Sequence, residues 1–172
     1  MKRRHWHLSS IASPLLAALA ACGSEAEAPR DVAAPAALAP IIVQDRFSVS
    51  RSQYGAEATL ARLFEALDRR ELMVFAVIDH RAGAEGVGAE LPFSTVVIFG
   101  DPSVGTPLIE AVPLMGAVLP LRALVYEQDG SVYLAVTGVD HLLRDYPLGE
   151  RAGVIDRIRA SLDEIGAEVT AG

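Results

Sequence analysis

The residue pair with the clearest capacity for chemistry is Asp79-His80. A carboxylate beside an imidazole can fix its tautomer and raise its basicity, as general-base catalysis requires. The pair ends an apolar run, and adjacent strand residues point to opposite faces, so the two side chains are poorly placed to bond each other. The plainer reading is that His80 caps the strand end on a backbone carbonyl, and a ligand contact is a third. A second candidate is Gly100-Asp101-Pro102, where glycine lets a backbone approach closely and Asp before Pro favours a turn. If the strands that end at Ile78 and Phe99 are neighbours, His80 and Asp101 converge at one sheet end, with Glu85 or Glu90 at the rim. Arg122 could bind an anion, although a salt bridge to one of the many acids is the simpler role. Thr59 reads as satisfying a backbone carbonyl, and His141 as solvated.

Several chemistries are missing. His5 and His7 lie in the first 21 residues, and Cys22 is the only cysteine. If those residues are cleaved and Cys22 is acylated, only His80 and His141 remain, so no Cys/His zinc cluster or haem-attachment motif can form. No metal and no cofactor are therefore expected. There is no nucleophile elbow and no phosphate-binding loop. Gly86-Val87-Gly88 lacks both a third glycine and a preceding strand, and reads as a loop.

Cys22 speaks to location. Lys2, Arg3 and Arg4 precede a short apolar run, Ile11 to Ala21, and the segment closes on Leu19-Ala20-Ala21-Cys22. A basic head, a brief apolar stretch and small residues at the cut match a secretory signal. The run is too short to span a bilayer, which takes about 20 residues. The ending resembles the bacterial lipobox, which implies cleavage before Cys22 and a diacylglycerol thioether on it. Two or three acyl chains hold stably where one is marginal, at about 0.8 kcal/mol per buried CH₂. Gly23 at the next position implies the outer membrane, facing the periplasm, in a host with two membranes. Cleavage removes three positive side chains and no acids, taking the formal charge from −7 to −10. So acidic a chain offers no footprint for nucleic acid and no polybasic patch for anionic lipid. Membrane attachment then rests on Cys22.

The elements that must position these groups follow. Residues 22–45 are rich in Ala, Pro and Glu without amphipathic period and read as a disordered tether; residues 46–172 read as one domain. Arg46 to Ser52 alternates as a half-buried strand. Leu60, Leu63, Phe64 and Leu67 form a helical stripe over about Ala56 to Arg70. Leu72 to Asp79 is nearly all apolar and reads as a buried strand, and Thr95 to Phe99 as another. Val104 to Pro120, with three prolines, predicts a short helix and an extended crossing. Arg122 to Glu127 and Val132 to Thr137 flank Asp129-Gly130, a hairpin signal because both turn positions need positive φ. Val154, Ile155, Ile158, Leu162 and Ile165 mark a closing helix with Arg157 and Arg159 on its wet side. Strand, helix, four strands, helix predicts an α+β fold with a mainly antiparallel sheet and both helices on one face. The other face is solvated, covered by Val104–Pro120, or buried in a partner subunit.

These residues also resemble a known family. Thr59, Leu63 and Leu67 are followed by Phe75-Ala76-Val77-Ile78-Asp79-His80, then Ala84, Gly88, Leu91 and Pro92. Phe99-Gly100-Asp101-Pro102, Gly105-Thr106, Pro113, Leu119-Pro120-Leu121-Arg122 and Gly130 complete the series. Together they are similar to domain of unknown function 302 over about Arg46 to Val169. The resemblance implies a fold akin to the TATA-box-binding-protein-like class and no established activity. Asp101 stands where the family usually has Asn, and Val118 where an acid is common. The expected function is a lipid-anchored, non-catalytic module for small-molecule binding or protein interaction. Its candidate ligand contacts are His80, Gly100, Asp101 and Arg122, its candidate ligand is apolar or anionic, and its candidate partner is a second copy. The alternative is a small cofactor-free hydrolase or isomerase with His80 as base beside Asp79 or Asp101.

Overall fold

The computed structural model describes residues 46–172. The expected signal segment, Cys22 and the expected tether through residue 45 lie outside the described residues. Strand β1 (Phe47–Arg51) leads to helix α1 (Ala56–Asp68), strand β2 (Met73–Asp79) and the short helix α2 (His80–Glu85). Strand β3 (Ser94–Gly100), helix α3 (Pro102–Ala111) and a 3₁₀ turn at Pro113–Ala117 follow. Strands β4 (Leu121–Gln128) and β5 (Ser131–Thr137) precede helix α4 (Asp140–Asp145) and the closing helix α5 (Ala152–Thr170). The five strands form one sheet in the order β1-β5-β4-β3-β2, with every neighbouring pair antiparallel. This is the α+β architecture that the alternation of patterns predicts.

Period-two patterning sorts the sheet into two faces. Thr95, Val97 and Phe99 of β3 and Leu121, Ala123 and Val125 of β4 are buried, and so are Leu134 and Val136 of β5. Helices α1 and α5 cover this face, with Leu63, Leu67, Ile155, Ile165 and Val169 fully enclosed. The helices are joined to each other by Arg62. Its Nε donates to the Val169 carbonyl at 3.1 Å and its Nη2 to that of Glu168 at 2.6 Å. Its guanidinium also lies 4.2 Å from the centre of the Tyr54 ring. The last carbonyls of a helix lack intrahelical partners, and here α1 supplies them. At the Asp129-Gly130 turn both residues have positive φ, 51° and 71°, so the hairpin forms as its dipeptide predicts.

One expectation is overturned, one alternative of three is set aside, and one element is new. Leu72 to Asp79 reads as a buried strand, yet β2 is the sheet edge and all seven of its residues are exposed. Helix α1 packs chiefly over β4 and α5 over β5 and β1, which leaves β2 largely uncovered. Val104–Pro120 does not cover the second sheet face either; it folds along the helix side, where it lines a cleft. Helix α2 was not expected from the sequence. It starts because the Asp79 carboxylate accepts the Ala82 N–H at 3.0 Å, a cap that an apolar-periodicity reading passes over.

Candidate functional site

A concavity of about 380 Å³ lies on the helix side at the end of the sheet where β3 finishes and β2 begins. Its size falls within the usual range for small-molecule pockets, roughly 300–1,000 Å³. Leu72 and Phe75 form one wall and Phe99 and Gly100 the floor. The β3–β4 connection supplies Val104, Gly105 and Leu108 from α3, then Leu119 and Pro120, whose peptide bond is cis. The opposite wall is α5. Val154, Arg157, Ile158, Ser161 and Leu162 repeat at helical spacing, so one face of that helix looks into the cleft.

The polar groups at this site are few. Asp101 lies at the rim as the N-cap of α3, accepting the Ser103 N–H at 2.7 Å and the Ser103 hydroxyl at 2.8 Å. The Ser103 hydroxyl, then the Ser103 N–H, hold the carboxyl below its ordinary value of 3.8, so it is ionised at neutral pH. Thr106 and Ser161 bring hydroxyls. Arg157 brings the cleft's guanidinium, and among the described residues no acid pairs with it. The sequence reading put Arg157 with Arg159 on the wet side of the closing helix. Arg157 is indeed exposed, but it also borders the cleft, whereas Arg159 is half-buried and bonded to Asp140 and, at 2.7 Å, to Asp156. The hydrophobic period fixes which stripe of α5 is apolar, but not that α3 stands opposite its margin.

The structure separates the sequence candidates. Strands β2 and β3 are neighbours, but they run antiparallel, with Asp79 opposite Thr95 and Met73 opposite Gly100. His80 and Asp101 therefore stand at opposite ends of the sheet, about 20 Å apart at the usual rise per residue, and do not converge. His80 is exposed at the start of α2, and Asp79 beside it is engaged as that helix's cap. Gly100 and Asp101 line the cleft. A Cβ at Gly100 would meet Pro120 and Phe75 at ordinary distances of 3.7 and 3.8 Å, so close approach is not what demands glycine there. Arg122 is exposed on the sheet face away from the helices and makes no ion pair among the described residues.

The remaining polar candidates are structural. Thr59 donates to the Gly55 carbonyl at 2.9 Å and meets the Ser52 hydroxyl at 2.7 Å. His141, expected in solvent, is only 5% exposed, and its Nδ1 has no hydrogen-bond partner. Among the described residues no three His, Cys, Asp or Glu side chains group as a metal site would require. What the cleft can do is enclose an apolar body, with one cation and two hydroxyls within reach.

Residues 48–169 match the family model described as domain of unknown function DUF302. A crystal structure of an uncharacterized conserved DUF302 protein from Bacillus stearothermophilus superposes with a TM-score of 0.64. It covers 72% of this chain and 97% of that one, at 16% identity, and so shows the fold. Curated relatives include fluoride-specific ion channel FluC 1 of Brucella suis biovar 1 (strain 1330). It is 32% identical over 109 residues, which is 63% of this chain and 43% of that protein. The corresponding protein of Brucella abortus biovar 1 (strain 9-941) is also 32% identical, over 40% of its length. The chain thus spans less than half of the curated relatives that it matches.

Proposed function

The chain belongs to the DUF302 family, and from that premise we propose that it is a non-catalytic binding module whose cleft holds a small, mainly apolar molecule. The carrying observation is the lining: Phe75, Val104, Leu119, Pro120 and Ile158 surround a cavity of about 380 Å³ with no acid–base pair converging in it. A general base needs a partner within hydrogen-bond reach of a reacting atom, and neither Asp101 nor Arg157 has a titrating imidazole beside it. We carry the lipid anchor forward as part of the same reading. Cys22 holds the domain at the membrane, in the outer membrane of a diderm host, and residues 22–45 let it stand clear of the headgroups. That the relatives are named as channels, which are membrane proteins, supports a membrane setting. The described residues contain no helix long and apolar enough to cross a membrane, and the proposal assigns them no conduction.

The test is titration of the full chain with the neutral fluorophore N-phenyl-1-naphthylamine. Wild type should bind saturably, and Gly105→Leu should not. A Cβ at Gly105 meets only the Leu119 side chain, at 3.8 Å, so the added side chain enters the cleft without displacing backbone. Equal binding by both proteins, with unchanged melting temperatures, would remove the cleft as the site. A second copy is the proposed protein partner, supported by the uncovered apolar edge of β2.

A further inference from the structure

We propose that the ligand of the cleft is an apolar monocarboxylate, such as a fatty acid, whose carboxylate is held by Arg157; this rests on the cleft being the binding site. The body of the site is aliphatic and aromatic, so it selects a hydrocarbon by area removed from water. On α5, Arg157 and Ser161 are one turn apart on the cleft-facing side. The other arginines of α1, of the two positions just after it and of α5 have partners. Arg62 binds the last carbonyls of α5, Arg70 binds Glu168 at 2.8 Å, Arg69 also binds Glu168, and Arg159 binds Asp140 and Asp156. In a chain with seven more acids than bases, Arg157 has no acid partner among the described residues, and it is the arginine bordering an apolar cavity.

The shape of the charge narrows the class further. A guanidinium presents parallel N–H donors that fit a carboxylate's two oxygens. Ser161 adds a hydroxyl donor for the same head group. Asp101, ionised at the opposite rim, opposes a second negative charge in the cleft. A monoanion therefore fits better than a phosphate dianion, and an alcohol of equal length forgoes the ionic contact.

Decanoate, 1-decanol and decyl phosphate, each displacing N-phenyl-1-naphthylamine from the full chain, separate the outcomes. The expected order is decanoate ahead of decanol by roughly five- to tenfold, an advantage kept modest because Arg157 is exposed. Decyl phosphate should fall below decanoate. Arg157→Gln should bring decanoate down to the decanol level and leave decanol unchanged, while 1 M salt should erode only the decanoate advantage. If decanoate and decanol compete equally in wild type, or Arg157→Gln weakens both alike, the carboxylate assignment is overturned while the cleft stands. Tighter binding of decyl phosphate also overturns it. If the fluorophore itself does not bind, the cleft reading fails before the head group is tested.

Discussion

At the scale of single residues, Asp101 and His141 show how polarity is handled at the site and in the core. Asp101 stabilises α3 only while ionised, because both of its oxygens accept from Ser103. Its folded pKa is depressed, so its contribution is fully present above the unfolded value of 3.8 and is lost as pH falls through the lower folded value. Asp101→Ala should therefore lower the melting temperature at about pH 7 and make little difference near pH 2. An equal deficit at both pH values would show that the ionised cap is not what the substitution removes. His141 is the opposite case, a buried ring whose Nδ1 has no hydrogen-bond partner. An orphaned buried polar atom costs about 1–3 kcal/mol. His141→Leu should accordingly be neutral or stabilising, by up to about 1 kcal/mol in urea denaturation, since lost ring packing offsets part of the gain. A loss larger than that would mean the ring contributes a bond or a packing role that outweighs its orphaned nitrogen.

Among the elements, the join between α1 and α5 places the cleft's far wall. Arg62→Ala leaves the terminal carbonyls of α5 without their donor and should cost about 2 kcal/mol in chemical denaturation, with Arg62→Lys intermediate. A cost below about 0.5 kcal/mol would mean water replaces the guanidinium. The same elements show what can be read without coordinates. Alternation located β1, the Leu60–Leu67 stripe located α1, and Asp129-Gly130 located the hairpin, because each signal is local. Antiparallel neighbours carry their C-terminal ends apart, and no pattern within either strand reveals which neighbour it has. That is why Asp79-His80 and Asp101 look like partners in sequence and stand at opposite sheet ends. The unbroken run Met73–Ile78 is correctly a strand, but its period cannot say whether the sheet continues beyond it. As an edge it leaves Met73, Phe75, Val77 and Ile78 between 43% and 52% exposed. Exposed apolar edges pair with other strands. If a second copy covers this one, wild type should show a doubled mass in light scattering and Val77→Lys a single one. A single mass for both would leave β2 an uncovered edge.

For the whole molecule, the proposed lipid anchor has to be weighed against the charge of the domain it would hold. The proposed cleavage before Cys22 would take the formal charge to −10, and anionic headgroups repel such a surface. Net charge gives it no pull toward such headgroups, and no helix among the described residues is long and apolar enough to cross a membrane. The proposed lipid on Cys22 would supply attachment without asking anything of the domain's own surface. It also suits the proposed ligand, since an apolar acid partitions into the bilayer beside which the cleft would be held. Processing has a spectroscopic signature, because the chain's one tryptophan, Trp6, lies upstream of Cys22. Protein recovered from membranes should show tyrosine but no indole emission, and its mass should equal residues 22–172 plus acyl chains. Cys22→Ser should retain Trp6, lose the acyl mass and leave the membrane fraction if the thioether is the anchor. Indole emission from the membrane-bound wild type would instead mean that the first 21 residues stay in place, and the lipid anchor would fall with that result.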